Sequence, residues 1–149
     1  MQLLTFTLGD TQYGIELEYV QSIEQIMQVV SIPNTLPYVK GIMNLHGEII
    51  PVYSLAVRFG LPEVGTENIV VVDAGDMKIG LEVYKVQEIL NISGEHVYEM
   101  PKIVRYSQDC FSEVADNQKH LIVTLDLKNL ITPEERENMQ EMVAHNKEM

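Results

Sequence analysis

Long apolar runs, cysteine and basic residues are all scarce in this chain of 149 residues. No apolar run approaches the roughly 20 residues that a membrane-spanning helix needs. The first ten residues, MQLLTFTLGD, lack the basic region and the cleavage site of a signal peptide. The single cysteine, Cys110, excludes an internal disulfide and is typical of a reducing compartment. We therefore expect a cytoplasmic protein.

The shortage of basic residues narrows the classes of partner. Lys and Arg together number 10 against 22 Asp and Glu, which gives a net charge of −12. Nucleic acids and anionic membrane surfaces attract proteins that carry clustered Lys and Arg, so this charge argues against both. The acidity predicts a well-solvated surface and leaves a basic protein partner open. It also disfavours a reactive thiolate at Cys110, which has Asp109 and Glu113 as neighbours.

The chain does contain many short strand patterns, separated by turn signals. Apolar residues alternate with Thr from Leu4 to Leu8, a pattern typical of a half-buried strand. Ile69–Val72 is a β-branched run, Ile79–Val83 alternates again, and Leu121–Leu125 makes a further strand. Gly-Asp and Asp-Asn pairs lie between these segments. The pattern predicts an all-β barrel or sandwich.

An internal repeat underlies these strands. Residues 3–26 align without a gap to residues 69–92, with eight identities in 24 positions. One identity places Glu16 on Glu82, and such pairs are most often equivalent solvent-facing positions. The apolar pattern of residues 48–55 also resembles that of residues 120–127, and a short helical turn is expected after each. We predict two related halves of about five strands each, in one folding unit with a shared core.

A β-hairpin is the most informative local element. An apolar arm from Ile42 to Leu45 leads into a His46-Gly47 turn, and a second arm runs from Glu48 to Tyr53. Glycine suits such a turn because it accepts a positive φ without steric cost. Pro51 cannot donate to a ladder, which predicts a sheet edge or a bulge at that part of the second arm.

The C-terminal residues predict a helix from about Pro133 to Ala144. Thr132 is the expected N-cap, and Glu135 stands at the capping-box position. The apolar side chains of this helix, Met139, Met142 and Val143, form only a narrow stripe. The helix therefore either docks weakly on the rest of the molecule, which is the favoured interpretation, or serves a partner.

Catalytic and cofactor motifs are hard to find. No glycine-rich phosphate loop is present, and Ser54 lacks the Gly-x-Ser-x-Gly elbow that would expose a nucleophile beside His46 and Asp73. The histidines are too widely spaced in sequence for a metal site: His46, His96, His120 and His145. We expect no catalytic residue, no metal and no cofactor. A small β-barrel hydrolase remains the alternative from the enzyme class.

Two blocks of the sequence resemble the CheW-type family of bacterial chemotaxis adaptors. The first is FTLGDTQYGIELEYVQSI, and the second is KGIMNLHGEIIPVYSL after Pro37, where the family usually reads VKGVINLRGxIIPVIDLR. The resemblance covers about residues 3–131. It implies two intertwined SH3-like five-stranded β-barrels packed on a shared core, in a domain of residues 1–131, followed by a C-terminal helix and tail in residues 132–149.

The resemblance also implies a function. Such adaptors are not enzymes and bridge the cytoplasmic tip of a chemoreceptor to the regulatory domain of the histidine kinase CheA. They offer a hydrophobic groove between the barrels to the receptor and the barrel ends to the kinase. Carried over to this chain, the candidate partner-contact residues are Val20, Ser22, Met43, Asn44, Leu45, His46, Gly47 and Glu48. Core packing is the alternative for Val20, Met43 and Leu45, and a turn requirement for Gly47.

Departures from the family pattern fall within the same segments. His46 stands where the family usually has Arg, Ser54 and Ala56 replace an Asp and an Arg, and Tyr84 replaces an Asp. A fork of fixed donors is thereby replaced by a smaller ring at His46, which makes this residue the best single candidate for surface recognition. The alternative function is a divergent module of the same family that serves another two-component kinase pathway.

Overall fold

The computed structural model describes residues 1–33, 35–63, 65–101 and 110–147. Twelve strands lie within these ranges: β1 (Gln2–Leu8), β2 (Thr11–Glu16), β3 (Val20–Gln25), β4 (Val30–Ser31), β5 (Val39–Leu45), β6 (Glu48–Ser54), β7 (Asn68–Asp73), β8 (Lys78–Val83), β9 (Lys85–Asn91), β10 (Val97–Glu99), β11 (Phe111–Asp116) and β12 (Leu121–Leu125). The α-helices of the same ranges are α1 (Leu55–Arg58), α2 (Leu127–Leu130) and α3 (Pro133–Lys147).

The strands form two six-stranded sheets. Sheet 1 has the order β10-β11-β12-β2-β1-β9, and sheet 2 has the order β3-β7-β8-β6-β5-β4. The predicted fold class, mostly β with a C-terminal helix, is confirmed. Each sheet contains six strands where about five were predicted, because the short strands β4 and β10 extend one edge of each sheet.

The two repeat units exchange their third strands. β1 and β2 form an antiparallel hairpin in sheet 1, and β7 and β8 form the corresponding hairpin in sheet 2. β3, from the first unit, pairs with β7 of the second, whereas β9, from the second unit, pairs with β1 of the first. Parallel pairing of β12 with β2 and of β6 with β8 completes the two sheets. The units are therefore intertwined.

The apolar core has three parts, and the first strand of each unit separates two of them. The main cluster lies between the sheets, and Leu4, Phe6 and Leu8 of β1 belong to it, whereas Leu3 belongs to a smaller cluster within sheet 1. β7 alternates in the same way between the main cluster and one within sheet 2. Both faces of β1 are thus covered, and the expectation of a half-buried strand was wrong.

A β-bulge explains how a polar side chain is accommodated inside β1. Thr5 is only 1% exposed. Its Oγ1 donates to the carbonyl oxygen of Glu88 at 2.9 Å and accepts from the Glu88 N–H at 3.2 Å. The register between β1 and β9 shifts between Thr5 and Phe6. The threonine hydroxyl thus provides both hydrogen bonds that the irregular backbone of β9 needs.

Helix α3 begins as its sequence predicts and docks on the sheets. Thr132 N–H donates to the Glu135 carboxylate at 3.0 Å, and Glu135 N–H donates to Thr132 Oγ1 at 3.1 Å, which is a capping box. Met139 and Met142 are buried in the main core cluster. The docked interpretation is confirmed, and the helix continues to Lys147, three residues beyond the predicted end.

Candidate partner-binding surface

The β5–β6 hairpin has the two-residue turn that the sequence predicts. His46 and Gly47 have positive φ values of 52° and 88°, the left-handed pattern of a type I′ turn. The Asn44 carbonyl Oδ1 accepts a hydrogen bond from Gly47 N–H at 2.8 Å and so fixes the turn from the side. Histidine tolerates the left-handed region better than most residues do. The turn presents the His46 side chain to solvent.

The candidate contact residues of the hairpin divide into an exposed group and a core residue. Asn44, His46, Gly47 and Glu48 are exposed, and Leu45 is half-buried. We call Asn44–Glu48 the hairpin patch. Met43 is 1% exposed and packs in the cluster within sheet 2, so it supports the hairpin from inside the core.

The remaining candidates lie elsewhere on the same sheet. Val20 and Ser22 are half-buried residues of β3, which is the edge strand of sheet 2. We call Val20–Ile23 the edge patch, because Ile23 beside them is 43% exposed. Strands β7 and β8 separate β3 from β6, and this is about 14 Å across the sheet at the usual strand spacing. The structure therefore shows two patches rather than one cluster.

Two features connect the second arm of the hairpin, β6, to β8. The ammonium of Lys78 lies 3.1 Å from a carboxylate oxygen of Glu48, in an exposed pair that joins β8 to β6. Parallel pairing of β6 with β8 begins at Val52, immediately after Pro51. Pro51 was predicted at a sheet edge or a bulge, but β6 lies inside sheet 2, between β5 and β8, and α3 packs against it. The proline is accommodated because it pairs with Ile42 of β5 on one side, while the pairing with β8 on the other side starts one residue later.

A partly buried ion-pair cluster lies at the opposite end of the sheet, and sequence reasoning missed it. Lys40 Nζ is 3.0 Å from Glu82 Oε1 and 2.8 Å from Glu63 Oε2. Glu82 is only 4% exposed, so the expectation of a solvent-facing position was wrong. Burial disfavours the Lys40 ammonium, but the hydrogen bonds to Glu63 and Glu82 outweigh this and raise its pKa above the ordinary value. The alternation of Ile79, Leu81 and Val83 gave no signal of this, because the face that carries Glu82 is also buried in the structure.

Three of the four departures from the family pattern have structural explanations. Ser54 Oγ accepts from Val57 N–H at 3.2 Å and caps α1, as Asp126 caps α2 by accepting from Lys128 N–H. Serine and aspartate are equally good N-caps, so the usual Asp is replaced without loss. Ala56 is buried in the main cluster, and the Tyr84 hydroxyl donates to the Pro62 carbonyl oxygen. His46 is the departure that stays exposed.

The residues of the imagined catalytic triad do not come together. Ser54, 1% exposed, ends β6, whereas His46 precedes the start of that strand. Within the described ranges, no group of three or more His, Cys, Asp or Glu residues could hold a metal ion. None of the described helices is long and apolar enough to span a bilayer.

These features define the class of molecule: a mostly-β protein of two intertwined sheets that exposes a hairpin patch and an edge patch. A model of the CheW-like domain matches residues 2–135. The chain is 30% identical to the chemotaxis protein CheW of Treponema pallidum, over 93% of this chain and 86% of that protein. It is 29% identical to CheW of Klebsiella aerogenes, over 90% of this chain and 83% of that protein.

A solved structure of a CheW protein also matches this chain. The scaffolding protein TtCheW from Thermoanaerobacter tengcongensis superposes with a TM-score of 0.81 and 26% identity, over 90% of this chain and 89% of that one. The chain belongs to the CheW-like domain family, whose named relatives are chemotaxis scaffold proteins.

Proposed function

We propose that this chain is a non-catalytic cytoplasmic adaptor that couples chemoreceptors to the histidine kinase CheA. The observation that supports this most is the exposed His46-Gly47 turn, which stands at the signature position of a family match that spans residues 2–135. A type I′ turn held by its own Asn44 side chain is pre-organised, so binding orders little additional chain.

The two patches supply two separate contacts. We assign partner contact to the exposed or half-buried candidates, Val20, Ser22, Asn44, Leu45, His46, Gly47 and Glu48, and a supporting role to Met43. The edge patch offers an unpaired strand edge with apolar side chains, which suits an extended or helical segment of the receptor. The hairpin patch offers polar groups for the regulatory domain of the kinase. Residues 1–131 act as one unit in this proposal, with residues 132–149 as an appended helix and tail.

The choice of partner is expected to depend on His46. Arginine presents a planar fork of donors that grips a carboxylate at two points, whereas an imidazole is shorter and makes at most one contact per ring nitrogen. The altered residue therefore changes recognition while the hairpin itself is kept. This exposed change is also the observation that favours the second candidate function, a module that serves a different two-component kinase.

The test measures binding of the full chain to the CheA regulatory domain and to the receptor tip of the same organism. We expect the wild type to bind at least one of them with a dissociation constant of about 50 µM or lower. His46→Arg should change one of the two affinities by at least about fivefold, which is a difference of about 1 kcal/mol. His120→Arg, at an exposed histidine in the β11–β12 turn of sheet 1, is the matched control and should change neither.

Absence of binding to both partners at 50 µM, about the affinity expected here, would contradict the adaptor function. Binding to another histidine kinase of the organism instead would support the second candidate. Unchanged affinities for His46→Arg would leave the adaptor function in place and remove His46 from its recognition surface.

A further inference from the structure

Each sheet contains one glutamate at an equivalent place, Glu16 in sheet 1 and Glu82 in sheet 2. The strand pairing shows the equivalence. Thr124 of β12 lies opposite Gly14 of β2, as Val52 of β6 lies opposite Gly80 of β8. These residues correspond at the offsets of the internal repeat, so Glu16 of β2 corresponds to Glu82 of β8.

The correspondence extends to a bulge in the next strand. The register shifts between Val39 and Gly41 in β5 and between Phe111 and Glu113 in β11. The bulged residue is Lys40 in sheet 2 and Ser112 in sheet 1.

Sheet 2 shows what this kind of site binds. Its carboxylate, Glu82, holds the ammonium of Lys40 at 3.0 Å, with a second carboxylate from Glu63 at 2.8 Å. The site is therefore a cation site that the chain fills with its own side chain. A lysine occupies it with the head group between two carboxylates.

Among the described residues, sheet 1 has the carboxylate but no side chain that supplies a cation to it. Ser112, at the position of Lys40, carries no charge, and its Oγ lies 2.8 Å from Thr124 Oγ1. In the part of the chain that the structure describes, neither Glu16 nor Glu113 has a hydrogen-bonded or ion-paired side-chain partner. Both side chains are only half-exposed, so water screens them less than a surface carboxylate.

A groove opens beside these carboxylates. It has a volume of about 330 Å³ and lies between sheet 1, α2, the β7–β8 turn and the first turn of α3. Its apolar floor includes Leu125, Leu127 and Ala74, and its rim carries four carboxylates, those of Glu16, Asp73, Glu113 and Asp126.

The rim cations do not balance these carboxylates. Arg136 is engaged by the Ala74 carbonyl oxygen and by Asp76, and the Met1 ammonium donates to the Ile92 carbonyl oxygen, which leaves Lys128. Of the four acids, Asp73 and Asp126 accept hydrogen bonds from Gly75 N–H and Lys128 N–H, so Glu16 and Glu113 are the two whose side chains have no such partner among the described residues. The neighbouring carboxylates, Glu18 first and then Glu16 and Asp126, raise the pKa of Tyr19 at the same rim, as expected in a negative local field.

We infer that this groove, which we call the Glu16 groove, binds the side chain of a lysine or arginine presented by a partner protein. The partner's cation takes the place that Lys40 fills in sheet 2. Its aliphatic stem lies on the apolar floor while the head group meets the rim carboxylates. The groove lies in sheet 1, away from the hairpin patch, so this inference goes beyond the adaptor function and does not depend on it.

The test titrates the full chain with the capped tripeptide Ac-Leu-Arg-Leu-NH₂ and follows the backbone amide NMR signals. Saturable shifts are expected at Glu16, Gly75 and Lys128, with a dissociation constant on the order of 1 mM, as suits a single side chain. The citrulline analogue has the same shape without the charge and should bind at least about tenfold more weakly, since the charge-assisted contact is lost. Free arginine tests whether the ligand is a metabolite: it carries the same guanidinium but lacks the flanking leucine residues, so it should bind more weakly than the peptide.

Two variants locate the site. Glu16→Gln keeps the shape of the side chain and should weaken peptide binding at least about fivefold, a change typical of one lost charged partner. Ser112→Lys supplies the cation internally, as Lys40 does, and should abolish binding. Glu137→Gln removes one exposed carboxylate from α3, outside the groove, and is the control for net charge.

Equal binding of the arginine and citrulline peptides, or shifts that do not saturate, would overturn the inference. So would an affinity that Glu16→Gln and Glu137→Gln change equally, because this would indicate general attraction to an acidic surface. Tighter binding of free arginine than of the peptide would contradict the inference that the ligand is a side chain of a partner protein. If Ser112→Lys fails to fold, the comparison of Glu16→Gln with Glu137→Gln decides.

Discussion

Lys40 contributes more to the stability of the fold than its partly exposed position suggests. Its partner Glu82 is 4% exposed and would be left as an uncompensated buried charge without it. We predict that Lys40→Met lowers the free energy of unfolding by about 3 kcal/mol, the usual cost of breaking a buried pair from one side. Urea denaturation measures it. Lys78→Met, which breaks the exposed pair with Glu48, is the control and should cost less than about 1 kcal/mol.

The same pair predicts a pH dependence. The pKa of Lys40 is raised in the folded protein, so its contribution is complete below the unfolded value of about 10.4 and is lost as pH rises through the folded value. The difference in stability between wild type and Lys40→Met should therefore stay constant from pH 7 to pH 9 and shrink above about pH 10.4. A difference that shrinks already below pH 9 would contradict this assignment.

Gly41 is required by a close backbone contact. Its φ is 153°, and an added Cβ would overlap the carbonyl oxygen of Val30 on β4. We predict that Gly41→Ala displaces β4 from β5 and costs at least about 2 kcal/mol, more than the usual strain of alanine at a positive φ. Gly47→Ala is the control, because nothing lies within 4 Å of a Cβ added there and only the φ of 88° disfavours alanine. Loss of amide-exchange protection confined to β4 in the first variant would confirm the cause.

At the residue scale, sequence reasoning succeeds where the determinant is local. The His46-Gly47 turn follows from two adjacent residues that tolerate positive φ, and the structure has it at that place. The burial of Glu82 depends on which faces of β8 are covered, and its cation comes from 42 positions earlier in the chain. The alternation from Ile79 to Val83 predicts one exposed face, but both faces of β8 are buried in the structure.

At the scale of elements, helix α3 also has local features that the sequence predicts and long-range features that it does not. Its start is encoded by the adjacent residues Thr132 to Glu135, and the capping box forms as predicted. Its docking depends on distant residues: Arg136 bonds to the Ala74 carbonyl oxygen and to Asp76, and Gln140 to Asp76 as well. The narrow apolar stripe suggested weak docking because this polar anchor cannot be read from the helix alone.

The docking of α3 is testable through its most buried side chain. Met139 is fully buried in the main core cluster. We predict that Met139→Ala lowers the free energy of unfolding by about 2 to 4 kcal/mol through lost packing and a cavity. Glu137→Ala, at an exposed position two residues earlier, should change it by less than about 0.5 kcal/mol. Similar effects of the two variants in thermal unfolding would mean that the helix is not part of the core.

At the scale of the whole molecule, neither repeat unit has a complete sheet of its own. β3 has its partner in β7, and β9 has its partner in β1. We predict that residues 1–65 and 66–149, expressed separately, each lack dispersed amide NMR spectra, and that mixing them restores the spectrum of the intact chain. A native-like spectrum from either fragment alone would contradict the prediction and the proposal that residues 1–131 act as one unit.

The repeat was visible in the sequence because its residues follow the same order in both copies. The exchange of third strands was implied by the family resemblance and not by the residues, since an apolar edge strand such as β3 fits either hairpin equally well. In the structure β3 packs through Val20 against the core cluster that both sheets share, and this contact cannot be read from β3 alone. Local pattern therefore predicts the units, and long-range packing decides how they combine.

The exchanged third strands also suggest how the chain arose, by fusion of two half-length chains. Two separate half-length chains that each donated a third strand to the other would form a two-fold dimer with this same pairing. Joining them end to end replaces an encounter between molecules by a reaction within one, at an effective concentration in the millimolar range. After fusion the copies no longer need to be identical. One of them can keep a cation such as Lys40 while the other carries an uncharged residue, Ser112, at the equivalent position.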